Sequence, residues 1–204
     1  MVYSYGEIIP VISISSTGRW IICRVGFESL LSGRNMSDDM QQGGNMEAAP
    51  RVSIIILNWN GWKDTIECLE SVYQITYPNY DVIVVDNGSE NDSLDQIRNY
   101  CRGNTPVQSD FVKYQISNKP IQIIECESKD NESILSYINT SQFSPSKKRL
   151  ILVKNEKNEG FTEGNNIAMR FAMKYMDPAY VLLLNNDTVV DRNFLTELIT
   201  VGES

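Results

Sequence analysis

The sequence predicts an α/β sandwich built on a largely parallel sheet, and three observations carry that expectation. Four short apolar runs, at residues 52–57, 81–85, 150–153 and 180–184, are continuous rather than alternating, which marks strands buried on both faces. A segment with helical spacing follows three of them directly and the third after a short stretch, and strands alternating with helices give a parallel sheet covered by helices. Three runs end in Asn- and Asp-rich tips, and a Gly- and Asn-rich stretch follows the other.

The elements follow in order. Residues 52–57 (VSIIIL) form the first strand, broken by Asn58-Trp59-Asn60-Gly61. Trp62, Ile66, Leu69 and Tyr73 recur at helical spacing over residues 62–75. Tyr77-Pro78-Asn79 makes a turn. Residues 81–85 (DVIVV) are the second strand, with Asp86-Asn87-Gly88-Ser89 at its tip. Leu94 and Ile97 share the inner face of a second helix opened by Asn91 to Ser93. Residues 103–148 carry no clear period and read as an insertion. Within it, residues 121–125 are an expected edge strand, 133–138 a short helix and 141–148 a loop. Residues 150–153 are the third strand. Residues 158–166 (NEGFTEGNN) read as a loop, and 166–176 as a helix with Ile167, Phe171 and Tyr175 inward. Residues 180–184 (YVLLL) are the fourth strand, ending in Asn185-Asn186-Asp187, and 191–200 the last helix, capped by Asp191.

Composition narrows the chemistry. The 204 residues carry 18 Lys and Arg against 26 Asp and Glu, a net charge of −8, which argues against broad nucleic-acid binding. With no histidine, Ser-His-Asp triads, Cys-His pairs and HExxH zinc sites are excluded. Cys23, Cys68, Cys101 and Cys126 form no CxxC and read as reduced, packed thiols. No window holds the roughly 20 uninterrupted apolar residues of a membrane span. Residues 1–50 differ from the rest: Pro10 breaks an apolar stretch, and a polar run over 32–50 has linker composition. The expected organisation is an N-terminal extension or linker over 1–50 and one domain over 51–204 with the insertion at about 103–148.

In a parallel sheet, ligands bind outside the carboxyl ends of the strands, so the polar tips are the candidate site. No GxGxxG or GxxxxGK[ST] follows the first strand, which removes the ordinary dinucleotide fold and the Walker ATPases. Asp187, a carboxylate beside amides, suits Mg²⁺ or Mn²⁺; it equally makes a turn after a strand. Asp86 can accept from a base N–H or a ribose hydroxyl, and Asn87 can donate and accept; an Asx-turn with Gly88 is the other reading. Trp59 can stack on a nucleobase or pack under the next helix. Gly160 and Gly164 let backbone approach a ligand at a helix start, although Glu159 and Glu163 oppose a simple phosphate cradle. Lys147-Lys148-Arg149 reads as a solvated loop, with phosphate contact as the lesser reading.

The segments VSIIILNWNGWKDTIECLESV, YDVIVVDNGSEND, NEGFTEGNNIAMRFA and YVLLLNNDTVVDRNFL together resemble the nucleotide-sugar-binding half of family-2 glycosyltransferases, in particular the rhamnosyltransferase-like members. The resemblance implies the GT-A fold, a Rossmann-like three-layer sandwich. It places Asn58 and Trp59 against the base, Asp86 and Asn87 at the base and ribose, and Gly160, Asn165 and Asn166 along the nucleotide-sugar loop. Asn185, Asn186 and Asp187 stand where the family has its DxD motif, so only Asp187 offers charge to a divalent metal, Mg²⁺ or Mn²⁺. The implied reaction is inverting transfer from a UDP- or dTDP-sugar to a glycan or lipid-linked acceptor. It is expected in the cytoplasm, at the membrane face where the acceptor is lipid-linked, with no nucleic acid and no transmembrane segment. The general base is expected beyond Ser204, and a partner chain is one source of the acceptor half. A donor-binding module without transfer is the alternative. A sugar-1-phosphate nucleotidyltransferase shares the layout but would need a glycine-rich, basic signature after the first strand.

Overall fold

The computed structural model describes residues 13–14, 22–24, 49–128 and 148–203. It is the expected α/β sandwich. The elements are β1 (Ser13–Ile14), β2 (Ile22–Arg24), β3 (Val52–Asn58), α1 (Trp62–Val72), β4 (Tyr80–Asp86), α2 (Ser93–Arg102), β5 (Gln122–Glu127), β6 (Arg149–Lys154), α3 (Gly160–Tyr175), β7 (Tyr180–Asn185) and α4 (Phe194–Gly202). The sheet order is β1-β7-β3-β4-β6-β5, with β2 also paired to β7. All pairings are parallel except that of β2.

The central strands are buried on both faces because their side chains feed two cores. Ile54, Ile56, Val82, Val84, Leu150 and Leu152 point with α1, α2 and α4 into one core. Ile55, Ile83, Val85, Ile151 and Val153 meet Ala168, Phe171 and Ala172 of α3 in the other. This gives three layers. It also explains the continuous apolar runs, since a strand between two layers of helix has no solvent side to alternate with. Each fully buried Ile or Val contributes about 1.5–3 kcal/mol.

Register aligns the carboxyl ends. Asn58 is paired with Asp86, Asp86 with Lys154, Lys154 with Glu127, and Leu57 with Asn185. The tips of five strands therefore stand in one row. At the opposite edge, buried Asp81 binds Arg51 (Nε–Oδ2 2.6 Å) and also Arg149. Arg149 is thus a clamp on the far edge of the sheet, and Lys148 donates to Asn118 Oδ1 at 2.9 Å and to the carbonyl of Tyr73. Neither is a free loop cation or a phosphate contact; Lys147 lies outside the described residues.

The central strands each run a residue longer at one or both ends and α1 stops at Val72 rather than 75; three further boundaries differ from the sequence reading. The edge strand appears, as β5, one residue later and longer. The stretch over 158–166 is mostly helix, because α3 starts at Gly160 rather than Asn166. Gly164 lies in that first part, where an added Cβ would come 2.7 Å from Leu57 Cδ1, so packing on β3 overrides a composition that favours loop. The last helix starts at Phe194, with Asn193 at its N-cap; Asp191, two residues before the cap, accepts the Asn193 N–H at 2.8 Å. The expected helix at 133–138 and nearly all of the 141–148 loop lie outside the described residues, as does most of the 1–50 extension.

The described part of the insertion is held by a polar anchor. Glu70 of α1 is fully buried and pairs with Lys119 at 2.9 Å, the Lys119 side chain being 2% exposed. Glu70 also accepts from Tyr100 Oη (2.9 Å) and the Gln115 N–H (2.9 Å). Burial, reinforced by Glu70, pushes the Tyr100 hydroxyl well above its ordinary pKa.

Candidate functional site

A cleft of about 450 Å³ opens above the carboxyl ends of β3, β4, β6 and β5. Trp59, Asp86, Ser89, Asn155 and Asn158 are among its walls, with Glu127 and Lys154 at the β5 and β6 ends. Trp59 follows β3 directly and is 56% exposed, so it rims the cleft and does not pack under α1. An exposed indole beside a polar cleft is placed to stack on a planar ligand.

Asp86 is 1% exposed. Its Oδ2 accepts from Asn58 Nδ2 at 2.7 Å, and its Oδ1 from the Ser89 N–H at 3.0 Å. These donors hold the carboxylate without a cation. Asn58 also donates to Ser89 Oγ at 3.1 Å and accepts from Thr65 Oγ1 at 2.9 Å. Asn60, at φ 56°, has its Oδ1 on the Glu90 N–H at 2.9 Å. The tips of β3 and β4 are thus zipped into one rigid wall.

Asn87 is buried and fully occupied. Its Nδ2 donates to Asn158 Oδ1 (2.9 Å) and the Gly160 carbonyl (3.2 Å), and its Oδ1 accepts from Asn155 Nδ2 (2.9 Å) and the Glu159 N–H (3.1 Å). An Asn amide has four such positions, so Asn87 here holds the β6–α3 loop in place. Gly88 completes the contact at φ 71°. A Cβ there would lie 2.4 Å from the Lys157 carbonyl carbon, so only glycine allows the two loops to meet.

The remaining sequence candidates stand at the start of α3 and at the β7 tip, and none of them is among the residues lining this cleft. Gly160 opens α3 at φ 80° with no atom within 4 Å of an added Cβ, and its carbonyl is held by Asn87. Asn165 is buried and donates to the Phe161 carbonyl at 2.9 Å; Asn166 donates to Glu163 at 3.5 Å. Both are engaged along their own helix. At the β7 tip, Asn186 Nδ2 donates to Thr65 Oγ1 (3.2 Å) and the Gly61 carbonyl (3.4 Å). Through Thr65 it joins the Asn58–Asp86 network. The Asn185 carbonyl faces the Cys68 thiol at 3.7 Å. Burial, with Asp187 nearby, pushes that thiol far above its ordinary pKa. Cys101 and Cys126, also buried and unpaired, are pushed up to about 12 by burial, so none of the three is a ready nucleophile.

Asp187 is exposed at the end of β7 and makes no ion pair among the described residues. The described residues hold no group of three or more His, Cys, Asp or Glu that could bind a metal ion. The donor set is one accessible carboxylate, which fits a hard cation only if a ligand supplies most of its oxygens, as Mg²⁺ commonly requires. Asn155, Ser89 and Thr65 are the residues that sequence reasoning missed. Asn155 carried a legible signal, a polar residue directly after a buried strand, as at the other tips.

Residues 53–131 match the family model Glycosyl transferase family 2. That stretch runs from β3 through β5 and contains Asn58, Trp59, Asp86 and Asn87, but not Asn155 or Asp187. Among solved structures the chain is similar to the mannosyltransferase PcManGT from Pyrobaculum calidifontis, described in complex with GDP-Man and Mn²⁺, at 18% identity and a TM-score of 0.46, covering 74% of this chain and 31% of that one. It is also similar to S. aureus TarS, at 17% identity and a TM-score of 0.46, covering 75% of this chain and 32% of that one. The chain thus spans about a third of the length of these structures. No curated protein matches it. No described helix is long and apolar enough to cross a membrane.

Proposed function

We propose that this chain is the donor-binding part of a glycosyltransferase and holds a nucleoside-diphosphate sugar at the carboxyl edge of its sheet. The observation that carries this reading is the convergence of the β3, β4 and β6 tips on one cleft rimmed by exposed Trp59. The family-model match over β3 to β5 supports it.

In this reading the base enters the cleft and stacks on Trp59. The ribose hydroxyls donate to the acceptor-rich wall around Asp86. The cleft walls carry Asp86, Glu90, Glu127 and Glu156 against Lys154 and Lys157, and Lys154 is already paired with Glu127 at 3.4 Å. Such a lining repels a diphosphate, so the diphosphate points away from it, toward the β7 tip. Asp187 is the residue that would hold a divalent cation there, and such a cation would neutralise charge on the leaving diphosphate. Asn58, Thr65 and Asn186 keep the two ends of the site in fixed relation, which is what positioning of a sugar for transfer requires. The finer assignments belong to the same proposal: a UDP- or dTDP-sugar donor, a glycan or lipid-linked acceptor, inversion, and kinship with the rhamnosyltransferase-like members.

The test is equilibrium binding of nucleoside diphosphates to the 204-residue chain, followed by an assay for transfer of labelled sugar. Binding that is lost in Trp59→Ala supports the donor site. Binding without transfer would leave the donor-binding module as the reading for this chain alone.

A further inference from the structure

We propose that β1 and β2 are a detachable cover on the outer edge of β7, and that the edge they close is a self-association surface that takes β7 of a second copy of this chain. This edge lies on the other side of β3 from the donor cleft. The two outer edges of the sheet are finished differently. At one, β5 places Glu125 and Glu127 in solvent, and charged side chains on an edge strand resist pairing with another sheet. Toward the other, β7 reads YVLLLN, with no charge and no proline, so the strand itself does nothing to discourage a further strand. Among the described residues, β1 and β2 are what closes it.

The hold on the two sides of β7 is unequal. Toward β3 it has six consecutive parallel pairs, from Val52↔Tyr180 to Leu57↔Asn185. Toward the cover it has two parallel pairs, at Leu183 and Leu184, and three antiparallel pairs, at Tyr180, Val181 and Leu182. The cover therefore reverses direction between Leu182 and Leu183, and no single ladder runs along this edge. Short, interrupted pairing opens at lower free energy than a continuous strand inside the sheet. The sequence between β2 and β3 includes the polar run over 32–50, which has linker composition.

Strand geometry identifies the β7 groups that the cover serves. The Tyr180 N–H donates to the Arg51 carbonyl at 3.1 Å, on the β3 side. Backbone groups alternate sides along a strand, so Leu182 and Leu184 also turn theirs to β3, whereas Val181, Leu183 and Asn185 turn theirs to the outer edge. The same alternation, with the registers Cys23↔Val181 and Ser13↔Leu183, turns the N–H groups of Cys23 and Ile14 toward β7. With the cover off, Val181, Leu183 and Asn185 present a row of unpaired donors and acceptors on an apolar strand. A second copy carries the same row. Two such edges laid antiparallel satisfy each other across a two-fold axis and join the two sheets into one.

The experiment is site-resolved amide hydrogen exchange on the full chain, with sedimentation velocity over a concentration series, for the wild type and for the double variant Ile14→Pro, Cys23→Pro. Each proline removes a donor turned to β7. The wild type is expected to sediment as a monomer. Its Val181 and Leu183 amides are expected to be protected about tenfold or more over unstructured chain, yet less than those of Leu182 and Leu184. In the dilute variant, protection at Val181, Leu183 and Asn185 is expected to fall by about tenfold while Leu182 and Leu184 keep theirs. At higher concentration the variant is expected to sediment as a dimer and to regain that protection. A folded variant that keeps wild-type exchange, or that stays monomeric at every concentration, overturns the proposal. If the variant does not fold, the wild-type exchange decides alone: Val181 and Leu183 unprotected means that there is no cover, and protection equal to that of Leu182 and Leu184 means that the cover does not detach. Either result overturns the proposal, and the donor-site reading stands or falls separately.

Discussion

Gly88 and Trp59 mark opposite kinds of residue at one site. Gly88 is needed for shape: any side chain there meets the backbone of Lys157 and takes a left-handed φ. Gly88→Ala is expected to destabilise the chain by about 1–3 kcal/mol, lowering Tm by roughly 2–4 °C for each kcal/mol, as thermal unfolding would show. Trp59 is needed for contact. Because it is exposed, Trp59→Ala is expected to change stability by no more than about 0.5 kcal/mol. It is expected to weaken nucleotide binding by about 1–3 kcal/mol, the worth of one base–aromatic stack; an unchanged affinity would remove Trp59 from the site. Both residues were legible as a strand tip and a turn glycine. The engagement of Asn87 was not, because the partners that fill its hydrogen-bonding positions lie about seventy residues away in sequence and meet it only through the β4–β6 pairing.

At the level of elements, the strands were legible and the insertion was not, for physical reasons that differ. A run such as 52–57 announces itself because five of its six side chains are apolar and β-branched residues dominate it. Residues 103–121 are held instead by a buried carboxylate on another element and by scattered apolar contacts such as Val107 and Ile121, and no periodicity records that. Removing Glu70 alone strands Lys119 in the interior, so Glu70→Ala is expected to cost about 3–5 kcal/mol. Replacing both members by methionine is expected to recover most of that loss, since an apolar pair leaves no unpaired charge. Denaturant unfolding of the single and double variants checks this, and equal losses in both would mean that the pair is not the anchor. Helix α3 shows the reverse error. Its first turns read as loop from Gly, Asn and Thr, yet Gly164 is small so that the helix can lie against Leu57. Close packing and a flexible loop ask for the same residue.

At the scale of the molecule, strand order matters more than strand identity. The sequence order of the apolar runs does not reveal that β7 and β4 flank β3. That arrangement sets the β7 tip on one side of β3 and the cleft on the other. It divides the site into an acceptor-rich part around Asp86 and a separate carboxylate at Asp187. The division has a measurable consequence. Asp187→Ala is expected to abolish the Mn²⁺ dependence of nucleotide diphosphate binding while leaving binding of the bare nucleoside unchanged. Unchanged Mn²⁺ dependence in that variant would contradict the metal assignment.

The central claim is that the carboxyl edge of this sheet binds a nucleoside diphosphate, and calorimetric titration of the 204-residue chain with UDP, dTDP and GDP, with and without Mn²⁺, tests it most directly. The expected result is saturable binding of at least one of them at a single site, tightened by Mn²⁺. No heat of binding from any of the three, in a sample whose cooperative unfolding shows it to be folded, would contradict the claim.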